Sequence, residues 1–304
     1  PALGLLGAAF FLILAPTSSI IPIQDVAFEH RMYLPLATVI LLVVLLVRRM
    51  VRSRVPAMAM LAIITIALIF GAYQRNKVYA SAVEMWQDVV DQRPYNCRAH
   101  NNLGNALKDD NRLSEAEGEF GETIRLKPEY ANAYSNLAQL YAMQRRFDEA
   151  VNVYREVLKL EPRQEQAHNN LANTLCQLGR LDEAVPHFEE AIRLKPNLLS
   201  PRLNLAKSLQ LLGRLEDAAR CYEEAIRMSP ETVSARLMHG AVLRDLGRLK
   251  EAEQEHRQAS QLAPTEAEAF YQLGLDLEAQ GLLRDATEAY RRALKSRRPR
   301  EDAQ

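Results

Sequence analysis

Residues 131–164 read ANAYSNLAQLYAMQRRFDEAVNVYREVLKLEPRQ, and residues 165–198 read EQAHNNLANTLCQLGRLDEAVPHFEEAIRLKPNL, the same order of small, aromatic and polar positions over again. The prolines near the two ends, Pro162 and Pro196, belong to a series spaced 34 residues apart: Pro94, Pro128, Pro162, Pro196, Pro230 and Pro264. A period of this length predicts stacked helix-turn-helix units, each too small to bury its apolar face without a neighbour. Proline cannot continue a helix, so it closes each unit.

With the proline at position 32, the units are 97–130, 131–164, 165–198, 199–232, 233–266 and 267–300. Position 8 reads Gly104, Ala138, Ala172, Ala206, Gly240 and Gly274, and position 20 reads Ala116, Ala150, Ala184, Ala218, Ala252 and Ala286. Small residues at both predict a close crossing of the two helices of a unit. Position 24 reads Phe120, Tyr154, Phe188, Tyr222, His256 and Tyr290, rings expected to fill the space between units. Gly179, Gly213, Gly247 and Gly281 fall in the turn between the two helices, where a left-handed residue ends a helix at little cost. Ala82 and Trp86 sit at positions 20 and 24 relative to Pro94, which predicts a half unit, a helix from about residue 76 to 93.

The bulk composition averages two unlike regions. The 304 residues carry 38 basic and 38 acidic side chains, and this balance argues against nucleic acid as a partner, because phosphate binding needs a basic excess. Cys97, Cys176 and Cys221, an odd number at irregular spacing, support neither a disulfide framework nor a zinc site. His100 and His168 recur at position 4, too far apart to share a metal, so no metal site is expected. No cofactor is called for by these residues.

The first 75 residues are mostly apolar. Three segments, 2–15, 34–47 and 55–73, are candidate membrane spans, and only the third has the length a single crossing needs. The first lacks a basic flank, is unlike a secretory signal, and reads as a membrane helix entered part-way, so the chain is expected to continue a longer polypeptide. Arg48, Arg49, Arg52 and Arg54 between the second and third segments outnumber Arg75 and Lys77 after the third. Positive loops stay cytoplasmic, which places the 16–33 loop and the repeats together on the extracytoplasmic side of a bacterial inner membrane. Glu29, His30, Arg31 and Tyr33 stand at the membrane surface, where ionisable groups are costly and hint at a site. Arg31 could hold a lipid phosphate through its forked guanidinium.

The 34-residue pattern over 97–300 resembles the tetratricopeptide repeat family. The resemblance implies an all-α solenoid whose first helices line a concave, ligand-facing groove through positions 2, 5, 6, 9, 12 and 13. Position 6 reads Asn102, Asn136, Asn170 and Asn204, then Met238 and Gln272, and Asn101, Asn105, Asn169 and Asn173 lie nearby. An amide both donates and accepts, so such a ladder can read the backbone of an extended polypeptide; it is similar to the Asn ladder of O-linked N-acetylglucosamine transferase repeats. The alternative is that these amides only satisfy neighbouring backbone groups. The run PTS, then EHRMYLP over 29–35, two apolar segments and repeats resembles the C-terminal half of membrane O-mannosyltransferases with tetratricopeptide repeats. That resemblance implies a polyprenyl-phosphate sugar donor, a protein hydroxyl as acceptor, and a catalytic Asp in a loop upstream of this chain; Glu29, Arg31, Tyr33 and Pro35 match its loop pattern, with His30 inserted.

The expected organisation is a transmembrane region over 1–75 with about three spanning helices, a linking half repeat over 76–96, six repeats over 97–300 and a polar tail over 301–304. The expected function is a membrane-anchored polypeptide-binding module of a protein O-glycosyltransferase, inert by itself. The rival is a non-enzymatic, membrane-anchored scaffold that assembles a cell-envelope complex. Protein ligands and membrane lipid are the expected partners.

Overall fold

A computed structural model describes Ile63, Ile66 and residues 81–297, and every regular element among them is helical. The chain divides into two compact units at residues 94 and 95. In the first, α1 spans Ala82–Gln92. In the second, helices come in pairs: α2 (Cys97–Asp109) with α3 (Leu113–Leu126), α4 (Ala131–Met143) with α5 (Phe147–Leu160), α6 (Glu165–Gln177) with α7 (Leu181–Leu194), α8 (Leu199–Leu211) with α9 (Leu215–Met228), α10 (Val233–Asp245) with α11 (Leu249–Leu262), and α12 (Ala267–Ala279) with α13 (Leu283–Arg297). First helices start at Cys97, Ala131, Glu165, Leu199, Val233 and Ala267, so the period of the prolines is also the period of the helices.

The half-repeat helix begins later than its sequence pattern implies. Ser81 is extended (φ −128°, ψ 137°), and its Oγ accepts a hydrogen bond from the backbone N–H of Glu84. An N-cap of this kind satisfies an orphan donor and sets the start of the helix at Ala82 rather than near residue 76. It also interrupts the continuous run expected from the third apolar segment. That segment and the two before it lie outside the described residues, apart from Ile63 and Ile66, both helical and exposed. Among the described residues no helix is long and apolar enough to cross a membrane.

Within each pair the crossing is as close as the small residues imply. Ala116, Ala150, Ala184, Ala218 and Ala252 are all fully buried. The rings at position 24 reach the following unit, as the sequence implies, with Tyr154 hydrogen-bonded to Asn170 and His256 to Asp276, and they fill the space inside their own unit as well. They close against position 8 of their own unit: a methyl added at Gly104 would stand 2.6 Å from the Phe120 ring, at Gly240 2.5 Å from the His256 ring, and at Gly274 2.5 Å from the Tyr290 ring. Glycine or alanine at position 8 is therefore the complement of a ring on the facing helix.

Each second helix packs on the first helix of the following pair, and each first helix also touches the next first helix. Second helices share no comparable contact with one another. First helices are therefore the closely spaced inner layer and second helices the splayed outer one. An apolar core runs without interruption through four pairs, from Ala138 and Tyr154 through Leu171, Phe188 and Leu205 to Tyr222 and Val242.

The turn glycines occupy the left-handed region, with φ of 72° at Gly179, 75° at Gly213 and Gly247, and 77° at Gly281. Asn111 and Arg145 take the same place in the first two pairs, at φ 60° and 61°. Asparagine tolerates that conformation, but for arginine the Cβ crowds the following carbonyl, at about 1–2 kcal/mol. Arg145 is exposed. Arg145→Gly is accordingly expected to stabilise the repeats by about 1 kcal/mol, part of the gain being offset by the greater freedom of glycine in the unfolded chain. Urea denaturation followed by circular dichroism measures it, and a lowered midpoint would contradict the strain at this turn.

Candidate peptide-binding groove

The position-6 amides project from successive inner helices: Asn102 from α2, Asn136 from α4, Asn170 from α6 and Asn204 from α8, each half-buried. They are placed there because every pair repeats the same helix length and the same crossing. Asn101, Asn102, Asn105, Asn136 and Asn170 line one open cavity of about 400 Å³. That volume is within the range of ligand clefts, roughly 300–1,000 Å³. Asn169 and Asn173, on the same helix as Asn170, lie outside it, as does Asn204 one repeat further along.

The amides are partly tied to one another. Asn136 Nδ2 donates to Asn101 Oδ1 at 2.9 Å, and Asn204 Nδ2 donates to Asn173 Oδ1 at 2.9 Å. Longer contacts run from Asn101 Nδ2 to Asn102 Oδ1 at 3.5 Å and from Asn169 Nδ2 to Asn170 Oδ1 at 3.3 Å. So the ladder is braced across repeats by bonds between amides, rather than to backbone groups, and is not closed. Asn204 stands where Asn136 does two repeats earlier, yet it turns to Asn173 and leaves Asn169 Oδ1 buried without a partner. An unsatisfied buried acceptor is uncommon and calls for a donor.

Other lining residues complete the cavity. Asn132 and Gln166 come from position 2, Ser135 from position 5 and Gln139 from position 9, all on the inner face the repeat pattern designates. Tyr130 and Gln164, at the last position before an inner helix, had no sequence signal to mark them, because helical periodicity does not reach into the linker. Tyr154 closes the floor. Burial pushes its hydroxyl up to about 12, against the lowering effect of a hydrogen bond with Asn170, so the ring presents a neutral O–H. Lys108 lies at the border and gives its ammonium to Gln139 Oε1 at 3.0 Å and Asn105 Oδ1 at 3.3 Å.

Position 4 serves a different purpose. His168 Nε2 lies 3.1 Å from the Pro162 carbonyl, Arg202 Nη1 donates to the Pro196 carbonyl at 3.1 Å, and Arg236 Nε to the Pro230 carbonyl at 3.1 Å. The side chain at position 4 thus ties down the carbonyl of the proline that closes the preceding repeat. The same residues reach position 23 of their own unit: His100 Nδ1 is 2.6 Å from Glu119 Oε2, His168 Nδ1 is 3.0 Å from His187 Nδ1, and Arg236 Nη1 donates to Glu255 Oε2 at 2.8 Å. Burial, the His168 ring and the Arg155 charge hold His187 below the ordinary histidine range. The recurrence of a long polar donor every 34 residues was the available signal for this stitch. The three cysteines are free and half-buried, and burial pushes the Cys221 thiol up to about 11, which leaves it protonated and unreactive. Glu29, His30, Arg31 and Tyr33 lie outside the described residues.

Tetratricopeptide repeat models match residues 71–133, 131–164, 163–231 and 203–267. The chain belongs to the tetratricopeptide repeat family, and the matched region begins upstream of α1. Among solved structures, the fold is similar to YrrB, described as a TPR protein with an unusual peptide-binding site, at 19% identity and a TM-score of 0.56 over 66% of this chain and all of that one. It is similar also to MamA of Desulfovibrio magneticus RS-1, at 20% identity and a TM-score of 0.53 over 57% of this chain and 97% of that one. PilF of Pseudomonas aeruginosa matches at 20% identity and a TM-score of 0.54 over 66% of this chain and 90% of that one. At these identities the likeness is one of fold. No curated protein matches the sequence significantly.

Proposed function

We propose that this chain binds an extended polypeptide along the inner face of its first repeats. The observation that carries the reading is the row of half-buried amides from α2, α4 and α6 converging on one cavity. Each amide offers two donors and a carbonyl acceptor, which is what an unpaired peptide backbone requires. A repeat protein described as binding peptide shares the fold and supports the reading. Hydrogen exchange on the full chain tests it. Addition of a binding peptide from an immobilised library should slow exchange in α2, α4 and α6 and leave α11 and α13 unaltered; protection on the outer helices alone would sink the groove as the site.

We further propose, on the sequence of residues 1–75, that the repeats are anchored in a membrane on its extracytoplasmic side. The loop bearing Glu29, His30, Arg31 and Tyr33 then serves a polyprenyl-phosphate-sugar donor in a protein O-glycosyltransferase, with the repeats presenting the acceptor. In a membrane preparation of the complete polypeptide, Arg31→Ala is expected to reduce glycosyl transfer by two orders of magnitude or more, since it removes the forked cation opposite the phosphate, while peptide capture by the repeats stays unaltered. Undiminished transfer would remove Arg31 from the donor site. Capture without any transfer by the parent protein would favour the anchored scaffold.

A further inference from the structure

The amide cavity carries a second property, and the inference from it rests on the polypeptide-binding reading above. In a chain of which 25% is Asp, Glu, Lys or Arg, none of the residues lining this cavity is one of them. The walls are amides and one serine, and the two rings are tyrosines, Tyr154 with its hydroxyl held neutral. Lys108, at the border, is turned to the amide oxygens of Gln139 and Asn105. Beyond it the character of the inner face changes. Position 5 becomes Leu203, Leu237 and Tyr271, and position 6 becomes Asn204, Met238 and Gln272, of which Met238 and Tyr271 are about half exposed (46% and 47%).

We infer that the first three repeats select a polypeptide segment whose side chains are uncharged, of the Ser, Thr, Gly, Ala, Asn and Gln type. The amides satisfy main-chain N–H and C=O groups wherever the segment lies. A Lys side chain carried into the same space sheds part of its hydration and meets no carboxylate in the lining, and an Asp meets only the Lys108 ammonium at the border, already engaged by Gln139 and Asn105. The groove therefore discriminates by rejection: the backbone contacts hold any extended segment, and the missing counter-charges exclude the ionic ones. The buried, unpartnered Asn169 oxygen marks the far end of the selective stretch, where a donor from the segment, or a turn of Asn204 released from Asn173, would satisfy it.

The test is an array of immobilised decapeptides probed with the full chain at two salt concentrations. One set is drawn only from Gly, Ala, Ser, Thr, Asn and Gln, and two matched sets carry a single central Lys or a single central Asp. The neutral set is expected to bind, each central charge is expected to weaken capture tenfold or more, and capture of the neutral set should be insensitive to salt, because no ion pair is screened. Asn136→Asp should then raise capture of the Lys set at least tenfold, circular dichroism confirming that the variant keeps its helices. Equal or tighter capture of either charged set by the parent protein would overturn the inference while leaving the groove intact as a peptide site. Capture of no set by the folded protein would overturn both.

Discussion

Asp276→Ala is expected to lower the stability of the last two repeats by about 3–5 kcal/mol, the range found when one member of a buried ion pair is removed. Asp276 sits on α12, fully buried, and is bonded to two side chains of the preceding repeat, the Arg244 guanidinium and the His256 ring. Its Oδ2 is hydrogen-bonded to His256 Nδ1, and its Oδ1 accepts from Arg244 Nη1 at 3.0 Å. His256 Nε2 lies 3.1 Å from the Leu237 carbonyl, so both ring nitrogens face oxygen atoms. Arg244 is anchored further by Gln272 Oε1 at 2.8 Å. Removing the carboxylate leaves the fully buried imidazole facing an empty volume, with no water path to replace the bond. In the other repeats position 24 is a phenylalanine or tyrosine and position 10 is Ala106, Leu140, Thr174, Ser208 or Val242. His256→Tyr combined with Asp276→Val restores that apolar arrangement, and Gly240 leaves room for the ring, as Gly274 does for Tyr290. The double variant is expected to recover most of the loss, a coupling measured by urea unfolding of all four proteins. A single variant as stable as the parent would show that the ionic network contributes nothing to the repeat junction.

Asn136→Ala together with Asn170→Ala is expected to weaken peptide binding about 10- to 100-fold, from the loss of two sets of backbone hydrogen bonds at about 1 kcal/mol or more each. Asn136 also donates to Asn101 Oδ1, so the single change there frees a buried acceptor and should lower stability by about 1 kcal/mol. Fluorescence anisotropy against a neutral decapeptide gives the affinity, and thermal unfolding of the same samples separates lost binding from lost folding. Unaltered affinity would reject the amides as ligand contacts and leave them as the brace between repeats.

Most of the solenoid was legible because its determinants are local and repeated. Pro at position 32, glycine at the turn and alanine at position 20 each act through backbone conformation or a single close contact, and they recur in five, four and six of the six units. The start of α1 was not legible in the same way. Ala82 and Trp86 mark the helix by their place in the repeat but not where it begins, and only the extended backbone at Ser81 decides the boundary. The rings at position 24 were identified as filling between units, but their closure against position 8 of the same unit was not, since a periodic aromatic position gives distance along the chain and not every helix it faces.

The sequence by itself determined the architecture, the register of the repeats and the face on which Asn102, Asn136, Asn170 and Asn204 stand, because helical periodicity and a constant repeat length settle all three. Only the tertiary structure decided which amides share a cavity and which pair off. Asn136 and Asn204 occupy equivalent positions, yet one bonds Asn101 and the other Asn173, a choice made by what the neighbouring repeat offers within reach of a short side chain. The structure likewise decided that Tyr130, Gln164 and Tyr154 join the site, and that Asp276 is bonded to His256 and Arg244. Such contacts span about 20 to 35 residues of chain, and they depend on how two repeats stack rather than on anything encoded within one.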